Sequence, residues 1–171
     1  MKKVILLTFF CLAGLFSANA QKFALIDMEY IMERIPSYGR ATAQLEQLSK
    51  QYQQTIENKA KEAKNLYQAY QKSSASMSAS QRNQKEEAII AKEKEVADLK
   101  NQYFGQEGAM AKKQEELILP IQNQVYEAVK RISLQRGYDA VLDRATATSL
   151  IFASPKIDIS DEVLRLLGYS K

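Results

Sequence analysis

The chain has 171 residues, with 24 basic and 20 acidic side chains, one cysteine, no histidine and no tryptophan. A formal charge of only +4 excludes the pronounced basic excess of a nucleic-acid-binding protein, so no nucleic-acid partner is expected. The lack of histidine removes the commonest general base and metal ligand, and a single cysteine closes no intrachain disulfide.

Residues 1–20 read as an export signal. Lys2 and Lys3 open it, an apolar run follows to Phe16, and Ser17-Ala18-Asn19-Ala20 ends in an A-x-A pattern that places cleavage after Ala20. A membrane anchor is the competing reading, but the run falls short of the ~20 apolar residues that a span needs. Cys11 lies within the signal, so a chain starting at Gln21 has no cysteine. Removing Lys2 and Lys3 from the 24 basic residues leaves 22 against 20 acidic ones.

Residues 21–28 (QKFALIDM) predict a short buried strand, with Phe23, Leu25 and Ile26 as strand formers. Asp27 is placed to cap a short helix over residues 28–35, where Met28, Ile31, Met32 and Ile35 share a face. Pro36 and Gly39 then interrupt the chain.

Two long segments rich in Gln, Glu, Lys and Ala come next, at residues 44–72 and 81–135, separated by the small polar stretch SSASMSAS at 73–80. Ala41, Leu45, Leu48, Tyr52, Ile56, Ala63, Leu66 and Tyr70 recur at helical spacing before it. Ile89, Val96, Leu99, Tyr103, Met110, Leu117, Ile121, Val125, Ala128 and Ile132 do so after it. Two helices joined by a short loop pack as an antiparallel hairpin. One register pairs Leu45 with Met110, Tyr52 with Tyr103, Ile56 with Leu99 and Leu66 with Ile89, since each pair of residue numbers has the same sum. The stripe is thin, with Ala, Gln, Lys or Tyr where a stable zipper places Leu.

Five residues are predicted hinges of this arm: Pro36, Gly39, Gly105, Gly108 and Pro120. Each glycine in a helix interior costs roughly 1 kcal/mol relative to alanine, so replacing Gly105 and Gly108 by alanine is expected to stiffen the arm. Pro120 removes a backbone donor and is expected to bend the descending helix almost opposite Pro36.

Gly137 ends that helix as a C′ residue. Residues 138–142 (YDAVL) and 148–153 (TSLIFA) predict two strands joined by a turn at Asp143-Arg144. After Pro155, Asp158-Ile159-Ser160-Asp161 opens a short helix over 162–167, capped by Asp158 or Ser160 and ended by Gly168, with Val163, Leu164 and Leu167 on its apolar face.

The resulting organisation is a signal at 1–20, a body from 21–38 and 136–171, and a hairpin arm at 39–135 with its tip at 73–80. The fold class is α+β, mainly α: a long, coiled-coil-like antiparallel hairpin on a small strand-bearing body. The apolar segments of the body amount to only about 43 residues, near the size at which isolated domains need staples or oligomerisation. With no disulfide and no histidine, oligomerisation remains, and Phe23, Leu25, Val141, Leu142, Leu150, Ile151 and Phe152 are the candidate interface residues.

No catalytic, cofactor or metal site is predicted, and the chain reads as a non-enzyme. A nucleophile–base pair has no histidine or mature cysteine to use. Gly105-Gln106-Glu107-Gly108 lacks the Lys-Ser/Thr of a phosphate loop, and Glu86-Glu87 and Glu115-Glu116 lie on polar helix faces. One charge feature stands apart. No acidic residue lies between Glu62 and Glu86, while Lys64, Lys72, Arg82 and Lys85 all do. Together with Tyr67, Tyr70 and Met77 they form a candidate contact set for acidic client segments or anionic lipid head groups.

The motifs FALIDM at 23–28, GYDAVLD at 137–143 and DISDEVL at 158–164, with the Gln/Lys/Glu-rich hairpin between them, resemble the Skp/OmpH family of periplasmic chaperones over residues 21–168. The resemblance implies a homotrimer with a small β-barrel body assembled from the strands of three chains. It implies three helical arms around a cavity that holds unfolded outer-membrane proteins in the periplasm, without ATP or any cofactor. Two alternatives stand beside it. One is an exported coiled-coil structural or adaptor protein. The other is a peripheral membrane protein whose basic arm tips meet anionic lipid or lipopolysaccharide.

Overall fold

The computed structural model describes residues 21–169, so the expected export signal and its cleavage point lie outside the described residues. Two compact units are present: residues 21–31 with 125–169, and Met32–Gln124.

In the first unit, β1 (Phe23–Ile26) pairs in parallel with β2 (Ala140–Asp143), in the register Phe23 to Ala140 through Ile26 to Asp143. A parallel pair needs a long crossover, and here the connection is residues 27–139, which carry every long helix among the described residues. On the other side of β1, Leu25 bridges Asp158, and the Ile159 N–H donates to the Leu25 carbonyl at 2.9 Å. Ala24, Leu25 and Ile26 are therefore buried, together with Ile31, Val125, Ala128, Ile132, Ile159, Val163 and Leu164. Asp27 caps α1 (Met28–Glu33) as expected, its Oδ1 accepting from the Tyr30 N–H at 2.9 Å.

The C-terminal strand pair is a correction. The turn after β2 forms: Asp143 accepts from the Ala145 N–H at 3.1 Å and the Thr146 hydroxyl at 3.0 Å. Residues 148–153, however, form no strand. Strand preference is a preference for a half-buried pleated surface, and a single chain offers TSLIFA neither a ladder partner nor a cover. Ile151 is fully exposed and Phe152 is 82% exposed. The body of one chain is thus a two-stranded sheet.

Neither Asp158 nor Ser160 is the cap: Ile159 takes that position, with no side-chain bond to the first turn. Asp158 accepts the Ser160 N–H at 2.9 Å, at the start of α5 (Ser160–Leu167). The Ser160 hydroxyl instead accepts from the Asp27 N–H at 2.9 Å, tying α5 to the end of β1. Gly137 and Gly168 both take left-handed backbone, with φ of 67° and 84°. In each case the next residue donates back five positions, Tyr138 to Ser133 and Tyr169 to Leu164, as a helix stop requires.

In the second unit, Ile35 is held extended (φ −89°, ψ 113°) by the proline that follows. Pro36 is then the first residue of α2 (Pro36–Ser73), where its missing N–H and fixed φ suit a helix start. At 1.5 Å per residue, the 38 residues of α2 extend about 57 Å. The expected break is therefore at residues 34–35, and Gly39 sits inside a continuous helix. A short turn at Ser74–Ser76 leads to Ser78, which caps α3 (Ala79–Phe104). The Ser78 hydroxyl accepts the Gln81 N–H at 3.3 Å while the Gln81 side chain accepts the Ser78 N–H at 2.9 Å.

The descending arm is two helices, not one. α3 stops at Phe104, and α4 (Ala109–Arg136) starts after a turn in which the Gly108 N–H bonds the Gly105 carbonyl at 2.9 Å. Pro120 lies within α4, which is continuous through it. The glycines are required by space rather than by φ. A Cβ on Gly105 would fall on the Asn101 carbonyl oxygen, and one on Gly108 would stand 2.9 Å from the backbone of Gly105 and Tyr103.

This reverses the sign of the expected glycine effect. Gly105→Ala and Gly108→Ala are each expected to destabilise by on the order of 1–2 kcal/mol, because the turn backbone must shift. Gly39→Ala meets nothing within 4 Å and is expected to stabilise α2 by up to about 1 kcal/mol. Urea titration followed by circular dichroism reads all three, and a stabilising Gly108→Ala would refute the account of the turn.

A second expectation concerns acid. The Tyr30 N–H, and then the Arg144 guanidinium at 3.0 Å, hold Asp27 below the ordinary carboxylate range. A depressed folded-state value means a contribution that is complete above about pH 4, the unfolded value. It disappears as pH falls through the folded value. Asp27→Asn keeps a capping oxygen but loses the ion pair. It is expected to lower neutral-pH stability by about 1–2 kcal/mol and to flatten the acid limb of the stability curve. An unchanged acid limb in Asp27→Asn would show that other carboxylates set it.

Candidate functional site

The hairpin of the second unit is fastened at three levels. Tyr52 stacks on Tyr103 with ring centroids 4.0 Å apart and planes 3° from parallel, and Phe104 meets Tyr52 edge-on at 6.3 Å. This is one of the four expected pairs. Further toward the tip, Lys59, Glu62, Lys92 and Glu95 form a closed ring of alternating charge. Lys59 reaches Glu95 at 2.9 Å and Glu62 at 3.5 Å, and Lys92 reaches Glu95 at 2.7 Å and Glu62 at 3.7 Å. The ring holds the Lys59 ammonium charged to higher pH, chiefly through Glu95, and keeps Glu95 ionised to lower pH, chiefly through Lys92. Nearest the tip, the Tyr70 hydroxyl donates to the Glu86 carboxylate, a bond that raises the pKa of the phenol.

Tip-ward of the charge ring lie the basic side chains of the contact set, with Lys64 between the ring and the Tyr70–Glu86 bond and Lys72, Arg82 and Lys85 around or past that bond. Lys64, Lys72, Arg82 and Lys85 are all exposed, and none has an ion-pair partner among the described residues. Tyr67 is 47% exposed, with its hydroxyl accepting from Gln71 at 3.1 Å. Tyr70 is half-buried and committed to Glu86, which reduces what it offers a ligand. Met77 is half-buried in extended backbone between the Ser74–Ser76 turn and the Ser78 cap. The arrangement offers unpaired cations beside adaptable apolar groups. Among the described residues no group of three or more acidic, His or Cys side chains is placed to hold a metal, and no helix is long and apolar enough to cross a membrane.

The first unit carries the other expected surface. Phe23, Leu142, Ile151 and Phe152 are exposed, while Val141 and Leu150 are half-buried. Leu25 is a correction: at 3% exposure it belongs to the core of its own chain, because β1 is covered on both sides. Among the exposed apolar residues that were not anticipated are Tyr126 and Leu134, which face outward on α4 away from Val125, Ala128 and Ile132. Their spacing of eight places them on one helix face, a second apolar stripe that the stronger buried stripe obscures. Of the expected hinge residues, Gly105 and Gly108 fall in the α3–α4 turn and Pro36, Gly39 and Pro120 in helices.

The family model described as outer membrane protein (OmpH-like) matches residues 22–167. A protein named Chaperone protein Skp from Yersinia enterocolitica is 28% identical over 154 residues, covering 90% of each chain. One of the same name from Photorhabdus laumondii is 26% identical, covering 96% of this chain and 98% of its own. In fold, the chain is similar to the crystal structure of a Caulobacter crescentus protein assigned as an outer membrane chaperone (OmpH-like). The TM-score is 0.65 at 12% identity, over 88% of this chain and 86% of the other. With the family match running from before β1 to the end of α5, the chain belongs to the OmpH-like outer membrane protein family.

Proposed function

We propose that this protein is an ATP-independent holdase chaperone for unfolded outer-membrane proteins. The observation that carries the reading is the distal hairpin, where four unpaired cations stand beside a half-exposed tyrosine, in a chain whose relatives are named chaperones. The same observation favours holding over the structural or adaptor alternative, since a passive spacer has no use for unpaired charge beside exposed apolar groups. A client makes many weak contacts of both kinds, stays dynamic and leaves when it folds elsewhere. Residues 1–20 direct export to the periplasm and are removed after Ala20. The arm tips also suit anionic lipid or lipopolysaccharide head groups, the site at which clients are handed on.

The working form is a homotrimer. β2 has β1 on one edge only, and the strand-forming residues 148–153 have no partner in their own chain. Each gap is filled if 148–153 becomes a strand on assembly, which closes the exposed Phe23, Leu142, Ile151 and Phe152 into a shared barrel body. Three arms then surround a cavity.

Dilution of a urea-unfolded outer-membrane barrel into buffer without nucleotide tests the holding itself. Stoichiometric protein is expected to suppress aggregation, and undiminished light scattering would overturn the reading. For assembly, Leu142→Asp or Ile151→Asp is expected to abolish the trimer in multi-angle light scattering. Both side chains are exposed in the single chain, so the protomer core is not disturbed directly, and trimeric variants would place the interface elsewhere. For the tip, changing Lys64, Lys72, Arg82 and Lys85 together to Gln is expected to leave the helix content intact. Client association should slow, and its salt dependence should shrink. Equal salt dependence in both proteins would assign the charges to solubility alone.

A further inference from the structure

The first unit grips the chain up to one residue ahead of β1. The Lys22 N–H donates to the Asp139 carboxylate at 2.8 Å, and the Lys22 carbonyl accepts from the Asp139 N–H at 2.8 Å. The Lys22 ammonium also reaches the Arg136 carbonyl at 3.4 Å. Strand β1 begins at the next residue. Gln21 stands outside this clamp. It is exposed, lies in neither helix nor strand, and makes no hydrogen bond or ion pair among the described residues.

We infer that the exported chain is closed at its first residue, with Gln21 converted to pyroglutamate. The inference rests on the proposed cleavage after Ala20, which makes the Gln21 nitrogen a primary amine. That nitrogen attacks Cδ of its own side chain and closes a five-membered ring. The N–Cδ bond forms, the Cδ–Nε2 bond breaks, and Nε2 leaves as ammonia with the proton that the amine gives up. Nothing is oxidised or reduced, and no co-reactant is consumed. The attacking form is the neutral amine, and an ordinary α-amine is about one-tenth unprotonated at neutral pH. Ring closure requires the side chain to fold back on its own nitrogen. Gln21 is free to do this because it is exposed and unclamped, and spending its amide costs the fold no bond among the described residues. The lactam removes the terminal positive charge and, with it, the amine that an aminopeptidase grips. Trimming past Gln21 would delete Lys22 and its bonds to Asp139 and Arg136, leaving the half-exposed Phe23 of β1 as a fraying end. The ring therefore protects both the clamp and the strand behind it.

The test expresses the full chain, leader included, in a Gram-negative host and recovers it from the periplasm. The protein is kept at neutral pH until its mass is constant, labelled with an amine-reactive reagent, digested and read by mass spectrometry. The first peptide is expected to begin at Gln21, to be lighter than its sequence by one ammonia, and to carry no label on its terminal nitrogen. Gln21→Asn is the control, since the same attack there would have to close a four-membered ring. Its first peptide is expected to keep its full mass and to take the label. An aminopeptidase is expected to leave the wild type whole and to remove residue 21 from the variant, while the thermal midpoints of the two agree. A wild-type peptide that begins at Gln21 with full mass and a labelled terminus would overturn the ring and leave the export reading standing. A first peptide that begins elsewhere, or retains residues 1–20, would overturn the cleavage reading and the ring with it.

Discussion

The register between α2 and α3 has to be held with very few apolar side chains, and the form of the arm depends on how that is done. Among the residues that α2 and α3 bury are Ala41, Ile56, Ala63 and Ile89, and two of those four are alanines. An apolar seam this thin loses little area when one helix slides past the other by a turn. The charge ring does discriminate. Sliding by three residues in one direction sets Lys59 against Lys92, and in the other it sets Glu62 against Glu95. Each exposed pair is weak in isolation, but the quantity that selects a register is the difference between attraction in one alignment and repulsion in its neighbours. The Tyr52–Tyr103 stack adds a second marker that no shifted alignment reproduces.

The first unit solves a different problem with the same economy of apolar residues. β1 is short, so its ends are fixed by side chains rather than by more ladder. Arg144 joins Asp27 at 3.0 Å to Asp158 at 3.3 Å, while its own N–H donates to the Ile26 carbonyl at 2.8 Å. Asp143 receives the Met28 N–H at 3.1 Å and Ser160 receives that of Asp27. Segments from both ends of the chain thus converge on the residue where β1 passes into α1. The Asp27–Arg144 contact is a closing bond of this unit, a role beyond the turn that the sequence assigned to Asp143-Arg144.

Much of this was legible in the sequence because it rests on period and spacing. The hairpin, its register at Tyr52–Tyr103, the Asp27 cap and the glycine stops at 137 and 168 follow from local chemistry that one chain satisfies alone. Other features were misread because their signal is not local. Gly105 and Gly108 look like two tolerated glycines in a helical pattern, and only the closeness of the Asn101 and Gly105 carbonyls shows that they make a turn. The S-x-x-Q box at Ser78 was visible but hidden within a run of small polar residues. TSLIFA is strand-like in composition, yet strand formation needs a partner edge that composition does not supply. Leu25 reads like its neighbours in any strand-former count, and its burial follows from Asp158 arriving on the far side of β1. Of the candidate contact residues, Tyr70 also belongs to the helical stripe read from the sequence, and its bond to Glu86 across the hairpin commits it to that seam.

A chaperone that releases its client without nucleotide is bounded on both sides by affinity. Holding at micromolar concentration requires about −8 kcal/mol in total, whereas a few deep hot spots would trap the client for hours. As the proposed contact surface, the distal hairpin fits between these limits. Its cations stand on exposed, mobile stems, where a single charge contact gives well under 1 kcal/mol and is screened over about 10 Å of salt solution. Its apolar groups are few and half-covered. Affinity of this kind accumulates only from many simultaneous contacts, so a long unfolded chain binds while a folded one, with its apolar residues buried, has too few to remain. Folding of the client then lowers its own affinity step by step, and the energy of release comes from the client rather than from the chaperone.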